Sequence, residues 1–133
     1  MFKTKLNETT TSIGLLILRL ISGGMMLTHG YQKLVKLSEL KADFPDPLGV
    51  GHDISLYLTL FAEVVCAALL IFGLFTRLAL LPLVVTMVVA FFIIHAKDPL
   101  GDKELALFYL MSYTVLIFSG PGKFSADKII LKK

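Results

Sequence analysis

Between residues 54 and 75 the chain carries one charged side chain, Glu63, inside an otherwise apolar run. About 20 predominantly apolar residues suffice for a helix to cross the hydrocarbon core of a bilayer. The run therefore points to lipid, not water, as the solvent around this chain. A carboxylate at such a depth is costly unless something faces it, so Glu63 is the first pointer to how the remaining helices are arranged.

Composition agrees: 56% of the 133 residues are hydrophobic and 17% charged, and mean hydropathy is +0.79. These values lie outside the soluble range, and the polar residues cluster between apolar segments. The net charge of +3 does not indicate nucleic acid, because the basic residues form no dense patch interleaved with exposed aromatics. A single cysteine, Cys66, excludes an internal disulfide and a Cys-x-x-Cys redox pair.

The chain reads as one domain, residues 1–133, with predicted spans over residues 12–31, 54–75, 78–96 and 103–119. Its polar start, with Lys3 and Lys5, is like the flank of a signal sequence. The apolar run that follows is longer than a cleavable core and lacks a small-x-small site, which predicts a retained helix. Thr10, Thr11 or Ser12 is the expected cap, and Gly23-Gly24 admits a close helix neighbour. In the polar connection that follows, residues 34–40 have the spacing of a short interfacial helix. Pro45 and Pro47 break it, and Gly49 and Gly51 permit turns. This connection is either a lid over the bundle or a poorly ordered loop, with the lid favoured. The tight turn at Thr76-Arg77 makes the second and third helices antiparallel neighbours. Pro82 falls near the first turn of the third helix, and Asp102 is the expected cap of the fourth.

Seven basic residues lie on the side of the termini (Lys3, Lys5, Arg77, Lys123, Lys128, Lys132 and Lys133), against five on the other (Lys33, Lys36, Lys41, Lys97 and Lys103). The positive-inside rule then predicts cytoplasmic termini. The expected fold is all-α: a transmembrane four-helix bundle, both termini cytoplasmic, with a long extracytoplasmic loop between helices 1 and 2.

Counting about 1.5 Å per residue, Arg19 lies about 18 Å and Glu63 about 14 Å below the same surface, so an Arg19–Glu63 pair is geometrically allowed. Such a pair either orients the bundle or lines a polar pocket for a ligand or proton. His29 and His95 reach one rim with Gln32, Lys33 and Glu104. Histidines there can move protons or serve as ordinary hydrogen-bonding groups. No His-x-x-His or Glu-x-x-His spacing preassembles metal ligands, and no metal is expected. Cys66 reads as a small packing residue beside Ala62. Aromatic residues such as Phe91, Phe92, Phe108, Tyr109 and Tyr113 suit a ring ligand, but they are also common in membrane cores.

The segment Leu18-Arg19-Leu20-Ile21-Ser22-Gly23-Gly24-Met25-Met26-Leu27-Thr28-His29-Gly30-Tyr31-Gln32-Lys33-Leu34 resembles the DoxX family of small bacterial membrane proteins. Glu63 and Gly73-Leu74-Phe75-Thr76-Arg77-Leu78 extend the resemblance over most of the chain. The resemblance implies four transmembrane helices in the bacterial inner membrane and association with quinone-linked or oxidative-stress complexes. It places emphasis on Arg19, Gly23, His29, Gly30, Gln32, Lys33, Glu63, Gly73 and Arg77.

The expected function is a quinone-linked redox subunit. Glu63, His29 and Arg19 are the candidate catalytic groups, and Arg19, His29, Gln32, Lys33, Glu63 and His95 the candidate quinone-binding set. Without its own electron-carrying motif, such a subunit needs a redox partner protein. Membrane lipids surround it, and a homo-oligomer is compatible. The alternatives are a non-enzymatic scaffold or assembly factor and a small-solute or proton transporter. Four helices without an internal repeat favour the transporter least.

Overall fold

Residues 7–41, 44–47 and 49–131 are described in the computed structural model, and all regular structure among them is helical. Lys3, Lys5, Lys132 and Lys133, which enter the expected charge bias, lie outside the described residues.

Helix α1 spans Glu8–Val35. It begins earlier than the hydroxyl cluster suggests because Asn7 is the cap: its side-chain oxygen accepts the Thr10 amide at 3.1 Å. It also runs past Tyr31 and absorbs the start of the expected interfacial helix, of which one turn remains as α2 (Leu37–Leu40).

Helix α3 spans His52–Phe72 and α4 spans Thr76–Ile94. Between them Gly73 adopts φ +67°, and the Leu74 and Gly73 amides return to the Leu69 and Leu70 carbonyls. This is the Schellman closure that a left-handed residue permits, and it turns the chain back in three residues. Pro82 lies farther into α4 than expected, beyond the first turn.

Helix α5 (Leu100–Ser119) starts at the Pro99 cap, ahead of Asp102, because proline already holds the backbone of a helix entry. A last short helix, α6 (Ala126–Leu131), was not foreseen.

Three helices, α1, α3 and α4, are long and apolar enough to cross a membrane. The fourth expected span, α5, is long enough, but its opening turns carry Asp102, Lys103 and Glu104 and it does not join that set. The chain is thus an all-α membrane bundle with three strongly apolar helices. Its lipid-like exterior is plain: Phe72, Leu78, Phe108 and Phe118 are all more than 60% exposed. Its interior is closed by Met26, Ala62, Cys66, Leu70, Leu83, Tyr113 and Leu116.

Helices α1 and α3 run antiparallel, and glycine sets their register. A Cβ on Gly30 would stand 2.9 Å from the Glu63 backbone, and one on Gly23 3.2 Å from the Ala67 carbonyl oxygen. The two backbones touch there, which only a missing side chain allows. Gly24, the other half of the expected pair, faces open space. Level matching by helix ends would have set Gly30 near Ser55. The true offset is about eight residues, or roughly 12 Å at the helical rise.

Two of the helices that carry the apolar core, α3 and α4, also unwind locally. Residues Phe61–Cys66 of α3 and Ala90–Ile94 of α4 form π-turns. Such turns are rare and frequently mark functional sites. No periodicity in the sequence announced either one.

Candidate functional site

The axial offset separates Arg19 from Glu63 and assigns them to opposite ends of the bundle. Arg19 is 1% exposed and donates only to main-chain carbonyls. Nε reaches Leu70 O at 3.1 Å and Nη2 reaches Ile71 O at 2.9 Å, which caps the end of α3. Nη1 reaches Pro121 O and Phe124 O at 3.0 and 2.9 Å, which ties down the chain after α5. A cation is well placed at a helix C-terminus, where carbonyls lack intrahelical partners. Arg77 repeats the device on α5 by donating to Ile117 O at 2.9 Å. The expected Arg19–Glu63 pair is therefore absent.

Beyond Arg19, the Asp127 carboxylate accepts the Phe75 and Thr76 amides at 2.7 and 2.9 Å, across the start of α4. Burial opposes its ionisation. The Thr76 and Phe75 amides and the Arg19 charge outweigh that and hold its pKa below the ordinary carboxylate value. A depressed folded pKa means that the contribution is complete above the unfolded value and disappears as pH falls through the folded one. The segment from Gly120 to Leu131 is accordingly expected to resist protease at pH 5 and above and to become progressively more cleavable as pH falls below the ordinary carboxylate value of about 4. Pulse proteolysis across that range checks it, and Asp127→Ala should be cleavable throughout.

At the opposite end, Lys33 on α1 donates to Glu63 Oε1 at 2.7 Å. The Glu63 side chain is 4% exposed and that of Lys33 is 28%, so the carboxylate is inside and the ammonium is at the edge. The π-turn carrying Glu63 and the close approach at Gly30 bring the two together. Beside them is a cavity of about 660 Å³, walled by α1, α3, α4 and α5 and closed partly by Phe44, Pro45 and Pro47.

Four expected residues line this cavity: His29, Lys33, Glu63 and His95. His29 meets the Tyr109 ring edge to face, with centroids 6.0 Å apart. His95 Nδ1 lies 2.7 Å from Asp98 Oδ2. Gln32 is exposed and does not line the cavity, and Arg19 lies at the other end.

Two polar contributors were not singled out from the sequence as site residues. Lys103 lies over the Phe91 ring at 4.5 Å on the cavity rim. Tyr109 is 5% exposed, and its hydroxyl has no hydrogen-bond partner among the described residues. Its neighbour Tyr113, one turn on, donates to Ser22 O at 3.0 Å. The available signal was that i,i+4 spacing of two hydroxylated rings on an apolar helix, which aligns them on one face.

Of the long connection, Phe44, Pro45 and Pro47 line the cavity. Asp46 accepts the Val50 and Gly51 amides and the Ser55 hydroxyl, at 3.0, 2.9 and 2.8 Å, which fixes the neighbouring prolines. The Ser55 bond leads the causes that lower its pKa. Among the described residues no group of three or more His, Cys, Asp or Glu is assembled for a metal.

The DoxX family model matches residues 14–96, which contain α1, α3 and α4 in large part, together with Glu63 and Lys33. An uncharacterized protein of Haemophilus influenzae is 30% identical over 96% of this chain and 90% of its own length. A second from the same organism is 32% identical, covering 90% and 92%. An uncharacterized membrane protein of Mycobacterium tuberculosis is 30% identical, covering 87% and 80%. No solved structure matches the chain. The family match over its three apolar helices and the near full-length relatives make this chain a multi-pass membrane protein of the DoxX family.

Proposed function

We propose that the cavity at the loop end binds the polar head of a lipid-soluble quinone, and that the chain serves as a membrane subunit of a quinone-linked redox or oxidative-stress complex. The observation that carries this reading is Tyr109. A buried hydroxyl without a partner costs about 1–3 kcal/mol, and it lies on the wall of a largely apolar cavity beside an ionised pair. A ring carbonyl fits that need, because the phenol can donate to it.

The rest of the wall is consistent in chemistry. Lys33 Nζ supplies a cation to an electron-rich oxygen, and Glu63, engaged through Oε1, has its other oxygen to accept a proton from a ring hydroxyl. His29 packs its edge on Tyr109 and can relay a proton toward the exposed side of Lys33. A quinone, when bound, supplies the two-electron chemistry; the chain's residues bind, orient and exchange protons. A partner protein carries the electrons, taking up the two released when the ring hydroxyls lose their protons. We read α5 as a fourth, weaker crossing, and the seven-to-five basic bias as cytoplasmic termini in the inner membrane.

The test is purification with native lipids retained, followed by solvent extraction and mass spectrometry. Near-stoichiometric isoprenoid quinone is expected from the wild type. Tyr109→Phe should retain about tenfold less, as loss of one buried hydrogen bond implies, without loss of thermal stability because no protein bond is broken. Glu63→Gln should also release it. A stable protein complex with no quinone would instead mean a scaffold or assembly factor, and solute flux in liposomes a transporter.

A further inference from the structure

The end of the bundle bearing the termini holds a second cavity, of about 870 Å³, between the start of α1, the α3–α4 turn and the segment after α5. It has no part in the quinone reading. Its floor is apolar, with Leu15, Leu74 and Leu78, and Leu78 and Phe75 continue outward onto the exposed lipid-facing surface at 67% and 61% exposure. Its rim is basic: Arg77, Lys123 and Lys128. An apolar wall thus meets a basic rim.

The charges around it are poorly balanced. Arg19 is buried just behind, and all four of its hydrogen bonds go to neutral carbonyls. Arg77 likewise binds carbonyls of α5. Lys123 Nζ reaches only the Thr9 hydroxyl, at 2.6 Å, and lies over the Phe124 ring at 5.5 Å. No carboxylate pairs with Lys123 or Lys128 among the described residues. On the acidic side, Asp127 is spent on the Phe75 and Thr76 amides, and Glu8 stands exposed on the rim. Among the described residues three cations, Arg77, Lys123 and Lys128, thus line the crevice with two carboxylates, one of them already engaged, and Arg19 lies buried behind. Thr76 Oγ1 is buried at the same place, against the Asp127 carboxylate whose pKa it helps to lower.

We infer that this crevice binds the phosphodiester headgroup of an anionic phospholipid, with one acyl chain running along Leu78 and Phe75. A phosphoryl group supplies the missing negative charge and accepts from both lysines. The apolar floor and its continuity with the lipid-facing surface favour a lipid over a soluble phosphate. Basic crevices between membrane helices are a recognised setting for acidic headgroups. Bound there, a lipid would lock the segment after α5 against α1.

The experiment is native mass spectrometry of the full chain released from nanodiscs of equal phosphatidylglycerol and phosphatidylcholine. Preferential retention of phosphatidylglycerol is expected. Lys128→Gln should lower that preference about fivefold, and Lys123→Gln with Lys128→Gln together about 25-fold, since each surface lysine contributes a factor of about five. Lys128 Nζ makes no hydrogen bond among the described residues, so the single variant tests the site without threatening the fold. Lys36→Gln, at the far end, should leave the preference intact. Equal retention of the two lipids, or a preference that survives both lysine substitutions, overturns the inference. Displacement of phosphatidylglycerol by millimolar inorganic phosphate also overturns it, because the crevice then serves a soluble phosphoryl ligand.

Discussion

Arg19→Ala is expected to destabilise the protein by about 4–5 kcal/mol, enough to prevent its accumulation in most cells. The side chain is fully buried and satisfies four carbonyls, on Leu70, Ile71, Pro121 and Phe124. Two effects compete. Removing a buried guanidinium relieves a desolvation cost of several kcal/mol. Against that, each carbonyl left without a donor costs about 1–3 kcal/mol, and the hydrogen bonds lost are charge-assisted. Leu70 O keeps the Gly73 amide, but the other three acceptors outweigh one relieved charge, and a large void is added. Arg19→Lys should recover less than half, because an ammonium cannot span a fork of four acceptors. The chain has no tryptophan, so unfolding in detergent is best followed by circular dichroism. A loss below about 1 kcal/mol would show that the carbonyls find other donors.

Gly30→Ala should cost about 2–3 kcal/mol, the upper range for overpacking. The new methyl would meet Val64 Cγ2 at 2.7 Å and the Glu63 carbonyl carbon and oxygen at 2.9 Å. A valine methyl can rotate away, but backbone cannot, so α1 and α3 must part. The displacement falls on the Lys33–Glu63 pair, and quinone retention should drop with stability. Gly24→Ala is the matched control: nothing lies within 4 Å, and the better helix former should leave stability unchanged or raise it by up to about 1 kcal/mol. If the two substitutions behave alike, the backbone contact at Gly30 does not set the register.

Much of the fold was legible because it rests on segment-level physics. Long apolar runs, Gly73 after the second span and the short turn before Thr76 gave the helices and the antiparallel pairing. Register was not legible, because it depends on which glycine the opposing backbone touches. Matching levels from helix ends set Arg19 against Glu63, whereas Gly30 and Gly23 carry the contact. Arg19 misled for a second reason: a buried cation invites a search for a carboxylate, and its acceptors are main-chain oxygens common to every residue.

The cavity was half legible. His29, Lys33 and His95 were identifiable as ionisable groups near one rim and Glu63 as a buried carboxylate, though it was matched with Arg19; all four line the cavity. Tyr109 was hidden among many aromatics, since an unpartnered hydroxyl is a property of packing and not of residue type. The two π-turns left no trace, because an extra residue in one helical turn barely alters a hydrophobic pattern.

The acceptors of Arg19 also dictate an order of biogenesis. Leu70 and Ile71 follow it by 51 and 52 residues, but Pro121 and Phe124 follow by 102 and 105. At about 5–20 residues per second of synthesis, the guanidinium waits roughly 5–20 s for its last ligands. Throughout that interval the nascent first helix carries an incompletely solvated charge. Full solvation of Arg19 therefore waits until the segment after α5 has been made.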